Sequence, residues 1–279
     1  MSSPNRRLVG GLAQSFAAGY STTTASMIGE APRFSSALAT RPDSFRRVRA
    51  SLIFTAFLVA AYNKPMENKS GILAISRHAE SEWNLLGKWT GITDVSLTEK
   101  GHIDSKMLGE TLRGIHFTVA YHSEQHRTHQ TLDGILETHG QTDLERREHS
   151  GINERDYGEL TGKNKWEVQK EIGDEAFKGI RRGWDYPVPG GETLKDVHGR
   201  VVPFFDEEIL PRLKKGENVL LVAHNNSIRA LLKHLDNIEE AAIANIEIPF
   251  GQILLYHFTP EGRVDEKESL SIHTDQSNA

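Results

Sequence analysis

The 279 residues contain no cysteine, which excludes a disulfide scaffold, a thiolate metal site and a cysteine nucleophile; the chemistry is left to His, carboxylates, Arg and Lys. The formal net charge of −5 hides an asymmetry: residues 1–66 hold eight Lys or Arg against two Asp or Glu, which leaves −11 for residues 67–279. Nucleic acid is therefore a poor partner, and any anionic ligand must be held by a local basic cluster against an acidic background.

Residues 1–66 are rich in Ser, Thr, Ala and Arg, as in "GYSTTTASMIG" and "FSSALATRPDSFRRVRAS". That composition fits an organellar transit segment or, equally, a tail without stable structure, so the expected location is cytoplasmic or mitochondrial. The apolar stretch Ser51 to Tyr62 is well short of the ~20 residues a bilayer span needs, so no membrane span is expected. From Gly71 onward, short apolar runs alternate with helical patterns, which predicts βαβ units: an α/β fold with a largely parallel sheet flanked by helices in three layers. Ile72 to Ile75, Val119 to Tyr121, Val219 to Ala223 and Ile253 to Phe258 read as strands. Helices are expected at Thr98 to Arg113, Arg127 to His139, Lys165 to Arg181, Leu194 to Leu213 and Ser227 to Leu235, and "DYPVPGGE" at Asp185 to Glu192 as a loop. Residues 67–260 then make the catalytic domain, and 261–279 a polar tail, frayed beyond Arg263.

In open α/β sheets, ligands bind beyond the carboxyl ends of the strands. Three of the expected strands end informatively: "LAIS" runs into Arg77 and His78, "VAYHS" leads to Arg127, and "VLLVA" is followed by His224, Asn225, Asn226 and Ser227. Taken singly, His78 reads more readily as a hydrogen-bonded structural histidine than as a functional one, and Arg77 or Arg127 as a surface ion-pair partner. If the strands are neighbours, two histidines and two arginines converge, and guanidinium forks suit phosphate. A neutral imidazole can attack phosphorus to give a phosphohistidine while cations stabilise the equatorial oxygens. The proton for the departing oxygen needs a carboxyl group on the far side of the phosphorus. Glu154, in "INERDYGELTG", is the favoured candidate over Glu80 and Glu82, which adjoin the nucleophile. The histidines lack metal-ligand spacing such as His-Glu-x-x-His, so no metal is expected.

The segments "SRHAESEWN", "WTGITDVSLTEKG", "NERDYGELTGKNK", "RRGWD", "GGETL" and "VAHNNSIRALLKHLDN" together resemble the cofactor-dependent phosphoglycerate mutases of the histidine phosphatase superfamily, from about Ile72 to Phe258. The resemblance implies interconversion of 2- and 3-phosphoglycerate, with 2,3-bisphosphoglycerate as primer and phosphoglycerates as the small-molecule partners. It implies His78 as the phosphorylated nucleophile, a phosphate pocket of Arg77, Arg127, His224 and Asn84, and Glu154 as proton donor and acceptor. Ser81, Thr90, Gly91, Arg155, Tyr157, Lys165, Arg181, Arg182 and Asn225 match substrate-binding positions. The family includes dimers, tetramers and monomers, which leaves a homo-oligomer open. Four departures stand out: Ala79 and Asn225 in place of glycines after the two histidines, His126 for a lysine before Arg127, and Asp156 for a histidine. The short link from Arg182 to Gly190 is similar to that of the smaller mutases. The alternatives are a phosphatase of the same superfamily acting on a small phosphoester and a paralogue that binds metabolites without turnover.

Overall fold

The computed structural model describes residues 71–272. The transit-like segment and the apolar stretch Ser51 to Tyr62 lie outside the described residues. Among those described, no helix is long and apolar enough to cross a membrane.

Among the described residues, six strands form one sheet: β1 (Gly71–Arg77), β2 (Val119–His122), β3 (Arg146–Glu148), β4 (Val219–Ala223), β5 (Gln252–Phe258) and β6 (Val264–Ser271). Their order is β3-β2-β4-β1-β5-β6. The first four are mutually parallel, with Arg77 facing Ala223 and both His122 and Ser76 facing Val222 in register, so their carboxyl ends share one edge of the sheet. β5 and β6 run antiparallel to this block. The buried parallel strands alternate their side chains between two cores. Leu73, Ile75, Val119, Tyr121, Val219 and Leu221 face one core; Ala74, Ala120, Leu220 and Val222 face the other. The expected three-layer α/β/α architecture is the one observed.

After the short α1 (Glu82–Leu85), α2 (Glu99–Thr111) and α3 (His126–His139) cover the second core, and α6 (Leu194–Phe204) and α8 (Asn225–Leu235) cover the first. The α2–α3 approach depends on small residues. A Cβ on Gly109 would stand 2.1 Å from the Ile135 carbonyl oxygen, and one on Gly134 would stand 2.0 Å from Ser105 Oγ.

Three expectations are corrected. The helix expected from Lys165 to Arg181 is two, α4 (Lys165–Ile172) and α5 (Asp174–Arg182), because Gly173 at φ 81° and ψ 164° adopts a backbone conformation essentially reserved for glycine. The helix expected from Leu194 to Leu213 widens into a π turn at Phe205–Ile209 before α7 (Leu210–Leu213); Pro203 and Pro211, on either side, lack the N–H that a regular helix uses. The tail expected to fray beyond Arg263 instead forms β6, which pairs with β5 from Val264 to Ser271. Its side chains are charged because the strand is an exposed edge, and polar composition alone resembles a loose end.

Candidate active site

The carboxyl edge of the parallel strands opens into a cavity of about 250 Å³. Its lining includes five cationic side chains, Arg77, Arg127, Lys165, Arg181 and Arg182, against two carboxylates, Glu154 and Glu247. The net positive local charge sits within an acidic chain.

His78 follows β1 and is buried; its backbone N–H donates to the Ala223 carbonyl of β4 at 2.9 Å, which ties the loop to the sheet edge. The ring Nδ1 lies 2.7 Å from the Ala79 carbonyl oxygen. A carbonyl only accepts, so the ring proton resides on Nδ1 and the lone pair on Nε2. Burial, then the Arg127 and Arg77 guanidiniums, holds His78 well below the usual imidazole range, so the ring is neutral at physiological pH.

His224 caps the N-terminus of α8, with its ring centroid 5.0 Å from that of His78. Burial, then Arg127 and His78, pushes it well down as well. Its Nε2 is 2.7 Å from Ser123 Oγ, while its Nδ1 is buried without a partner among the described residues.

The two arginines are aimed by backbone carbonyls. Arg77 donates from Nη1 to Ile248 at 2.9 Å, with its guanidinium 3.8 Å from the centre of the Phe250 ring. Arg127 donates from Nη1 to Thr93 and from Nη2 to Gly91, both at 3.0 Å. Burial lowers each to about 10, so both remain charged at neutral pH. The Nε of each is buried with no acceptor among the described residues. These donors and His224 Nδ1 are orphaned polar atoms beside a nucleophilic nitrogen, a chemistry that fits a phosphoryl group.

Glu154 is fixed by converging donors: Oε1 accepts from the Arg155 N–H at 2.8 Å, the Asn226 N–H at 3.3 Å and Asn226 Nδ2 at 3.0 Å. Asn226 Nδ2 also donates to the Tyr157 hydroxyl at 2.9 Å, and its Oδ1 accepts from Arg229 Nη1 at 3.0 Å. Asn84 Oδ1 accepts from the Ser81 N–H at 3.2 Å and the Ser81 hydroxyl at 2.7 Å, which leaves the Asn84 Nδ2 donors for the cavity that Asn84 lines. Lys165, at the start of α4, is lowered to about 8 by burial first and then by Arg181 and Arg77. Arg182 donates to the Ile246 carbonyl at 3.3 Å and pairs with Glu247.

Of the residues expected from the sequence, Arg77, His78, Asn84, Thr90, Gly91, Arg127, Glu154, Tyr157, Lys165, Arg181, Arg182 and Asn225 line the cavity, and His224 stands directly behind His78. Ser81 and Arg155 do not line it. Ser81 is fully buried and orients Asn84; Arg155 is fully buried, donates to the Ile180 carbonyl at 2.7 Å and lies over the Tyr157 ring. Both are motif neighbours of lining residues whose own side chains turn inward. Three of the four departures also lie off the cavity. Ala79 is buried with its N–H on Thr131 Oγ1, Asp156 caps the Gly158 N–H, and His126 is exposed; Asn225 alone lines it. Sequence reasoning missed Asn226, Gln125 and Phe250. Gln125 bridges the Glu154 N–H and the Gly91 carbonyl at 2.8 and 3.0 Å. The adjacency of two asparagines after His224 was the available signal for Asn226; nothing local marks Phe250, which arrives from the loop before β5.

The sequence model of the histidine phosphatase superfamily (branch 1) matches residues 73–267. A 2,3-bisphosphoglycerate-dependent phosphoglycerate mutase of Methylorubrum populi is 42% identical over 209 residues, which is 74% of this chain and 99% of that relative. Among solved structures, a phosphoglycerate mutase from Bacillus anthracis superposes with a TM-score of 0.61 at 23% identity, covering 73% of this chain and 95% of that one. A mycobacterial glucosyl-3-phosphoglycerate phosphatase superposes with a TM-score of 0.60 at 21% identity, covering 70% and 97%.

Proposed function

This chain belongs to branch 1 of the histidine phosphatase superfamily, and on that premise we propose that it is a phosphoglycerate mutase, interconverting 2- and 3-phosphoglycerate through a phosphohistidine at His78. The superfamily's chemistry, phosphoryl transfer through histidine, is common to mutases and phosphatases. The observation that favours the mutase is the second cation group: Lys165, Arg181 and Arg182 line the same cavity as His78, Arg77 and Arg127. A phosphatase needs only the first group, whereas a three-carbon acid that bears a carboxylate as well as one or two phosphates needs cations at both ends. The 42% identical mutase of Methylorubrum populi supports the same reading.

In the proposed cycle, His78 Nε2 takes a phosphoryl group from the primer 2,3-bisphosphoglycerate. The N–P bond forms as the P–O bond breaks, and Glu154, as the acid, gives its proton to the departing oxygen. In the return step Glu154 takes the proton of the substrate hydroxyl, whose oxygen attacks phosphorus and frees His78 as the neutral ring. Arg77, Arg127, His224 and Asn84 hold the transferring group; the orphaned Nε atoms of the two arginines and His224 Nδ1 fit it. Lys165, Arg181 and Arg182 hold the far end of the ligand, with Thr90, Gly91, Tyr157 and Asn225 completing the wall.

A hydrolytic reading rests on one feature, the short link between Arg182 and Gly190: a link of that length adds no long lid over the site, and water that enters would hydrolyse the phosphoenzyme. Incubation with labelled 2,3-bisphosphoglycerate followed by 3-phosphoglycerate separates the readings. Acid-labile label lost in His78→Ala, with rapid isomerisation, is the expected result. Inorganic phosphate without isomer assigns a phosphatase, and no label on a folded protein refutes both.

A further inference from the structure

Behind the Ser123–His224 contact lies a cluster that the reaction does not use. His122 ends β2, His129 sits one turn into α3 and Glu148 ends β3; β2 and β3 pair with His122 facing Glu148. One ligand atom from each residue lies within 4.8 Å of the other two. The rings of His122 and His129 meet edge to face, 4.2 Å between centroids.

The second observation concerns the ring hydrogen bonds. His122 is buried, and its Nδ1 donates to the Ser123 carbonyl at 2.9 Å, which puts its lone pair on Nε2. This is the outer-shell arrangement that fixes a metal-binding imidazole: one nitrogen donates to a backbone carbonyl while the other is left to bind. His129 Nε2 stands 3.0 Å from the same carbonyl and 2.9 Å from Glu148 Oε2, so it now carries a proton between two acceptors.

We infer that His122, His129 and Glu148 form a binding site for a divalent transition-metal ion of the zinc class, separate from the phosphoryl-transfer cavity. Two imidazoles and a carboxylate are a zinc-type donor set, with the fourth position open to water. The ion replaces the proton at His129 Nε2; in the neutral ring that proton moves to Nδ1 through solvent, so coordination uses the other tautomer. Ligand atoms each about 2 Å from one ion stand ~3.3 Å apart, so the cluster must close up. Glu148 can supply that movement, since it is exposed on an edge strand. Helical spacing such as His-Glu-x-x-His is absent because the three ligands meet through the β2–α3 turn and strand pairing.

The test titrates the untagged full chain with Co²⁺, followed by its visible ligand-field absorption, and with Zn²⁺ by calorimetry. One ion with a tetrahedral cobalt spectrum is expected. Glu148→Gln, at an exposed position that leaves the fold intact, and His122→Gln should each weaken binding by about 10- to 100-fold, the range seen when even outer-shell partners are lost. His78→Ala should leave affinity within about twofold. Binding that survives both ligand substitutions, binding lost in His78→Ala, or no binding by the wild type overturns the assignment; the second result would place the ion in the phosphoryl-transfer cavity.

Discussion

Lys165 makes the proposed substrate affinity sensitive to mild alkali. Burial and the neighbouring Arg181 and Arg77 charges hold its ammonium at about 8 rather than 10.5. An anionic ligand beside it restores a partner, so the liganded site keeps the proton that the free site gives up. Affinity is therefore fully present below pH 8 and lost as the pH rises through it. With a free-site value of 8 and the bound ammonium intact, the dissociation constant should rise about tenfold between pH 7 and 9. Arg77 and Arg127, at about 10, stay charged over that window and add little slope. A phosphate monoester, with its second ionisation near ~6, is already a dianion. The assay is 3-phosphoglycerate affinity by calorimetry from pH 7 to 9. Wild type should show the tenfold slope, and Lys165→Gln should bind weakly with no slope. A wild type flat across the window, or a Lys165→Gln protein with the wild-type slope, would refute the argument.

Three further substitutions test how the site is held. Asn226→Leu strips donors from Glu154 and Tyr157 and an acceptor from the buried Arg229; it should cost about 2 kcal/mol in urea denaturation and lower turnover as well. Arg155→Met should lower thermal stability yet leave the KM for phosphoglycerate within about twofold, since the side chain bonds Ile180 and lies off the cavity; a tenfold rise in KM would make it a ligand contact. Gly109→Ala gains about 1 kcal/mol of helix propensity but drives a Cβ into the Ile135 carbonyl, so the melting temperature should fall; a rise would show that α2 and α3 part easily.

The strand ends were legible because β1, β2 and β4 are continuous apolar runs, and burial on both faces leaves that trace in a sequence. His78, Arg127 and His224 were legible for the same reason, as polar residues placed just past those runs. Supporting contacts were less so. Ser81 and Arg155 lie inside recognisable motifs, and position in a motif does not tell a side chain that touches ligand from one that aims its neighbour. Phe250 and Glu247 reach the cavity from a loop more than 160 residues beyond Arg77, and no local pattern encodes that approach. The break at Gly173 was visible as a glycine, but only its positive φ separates a helix end from a tolerated glycine within one. β6 was hidden because an outer strand in water needs charge rather than apolar alternation.

That outer strand also governs how the molecule tolerates shortening. β5 is buried along most of its length, with Ile253, Leu254, Leu255, Tyr256 and Phe258 shielded, and it hydrogen-bonds to β1 on one side and β6 on the other. A chain ended at Pro260 would keep every cavity residue but present β5 as a long, bare, apolar margin, a template for pairing between molecules. Asp265, Glu266, Lys267 and Glu268 occupy that margin instead, so the last strand acts as a charged selvedge that keeps one sheet from joining the next.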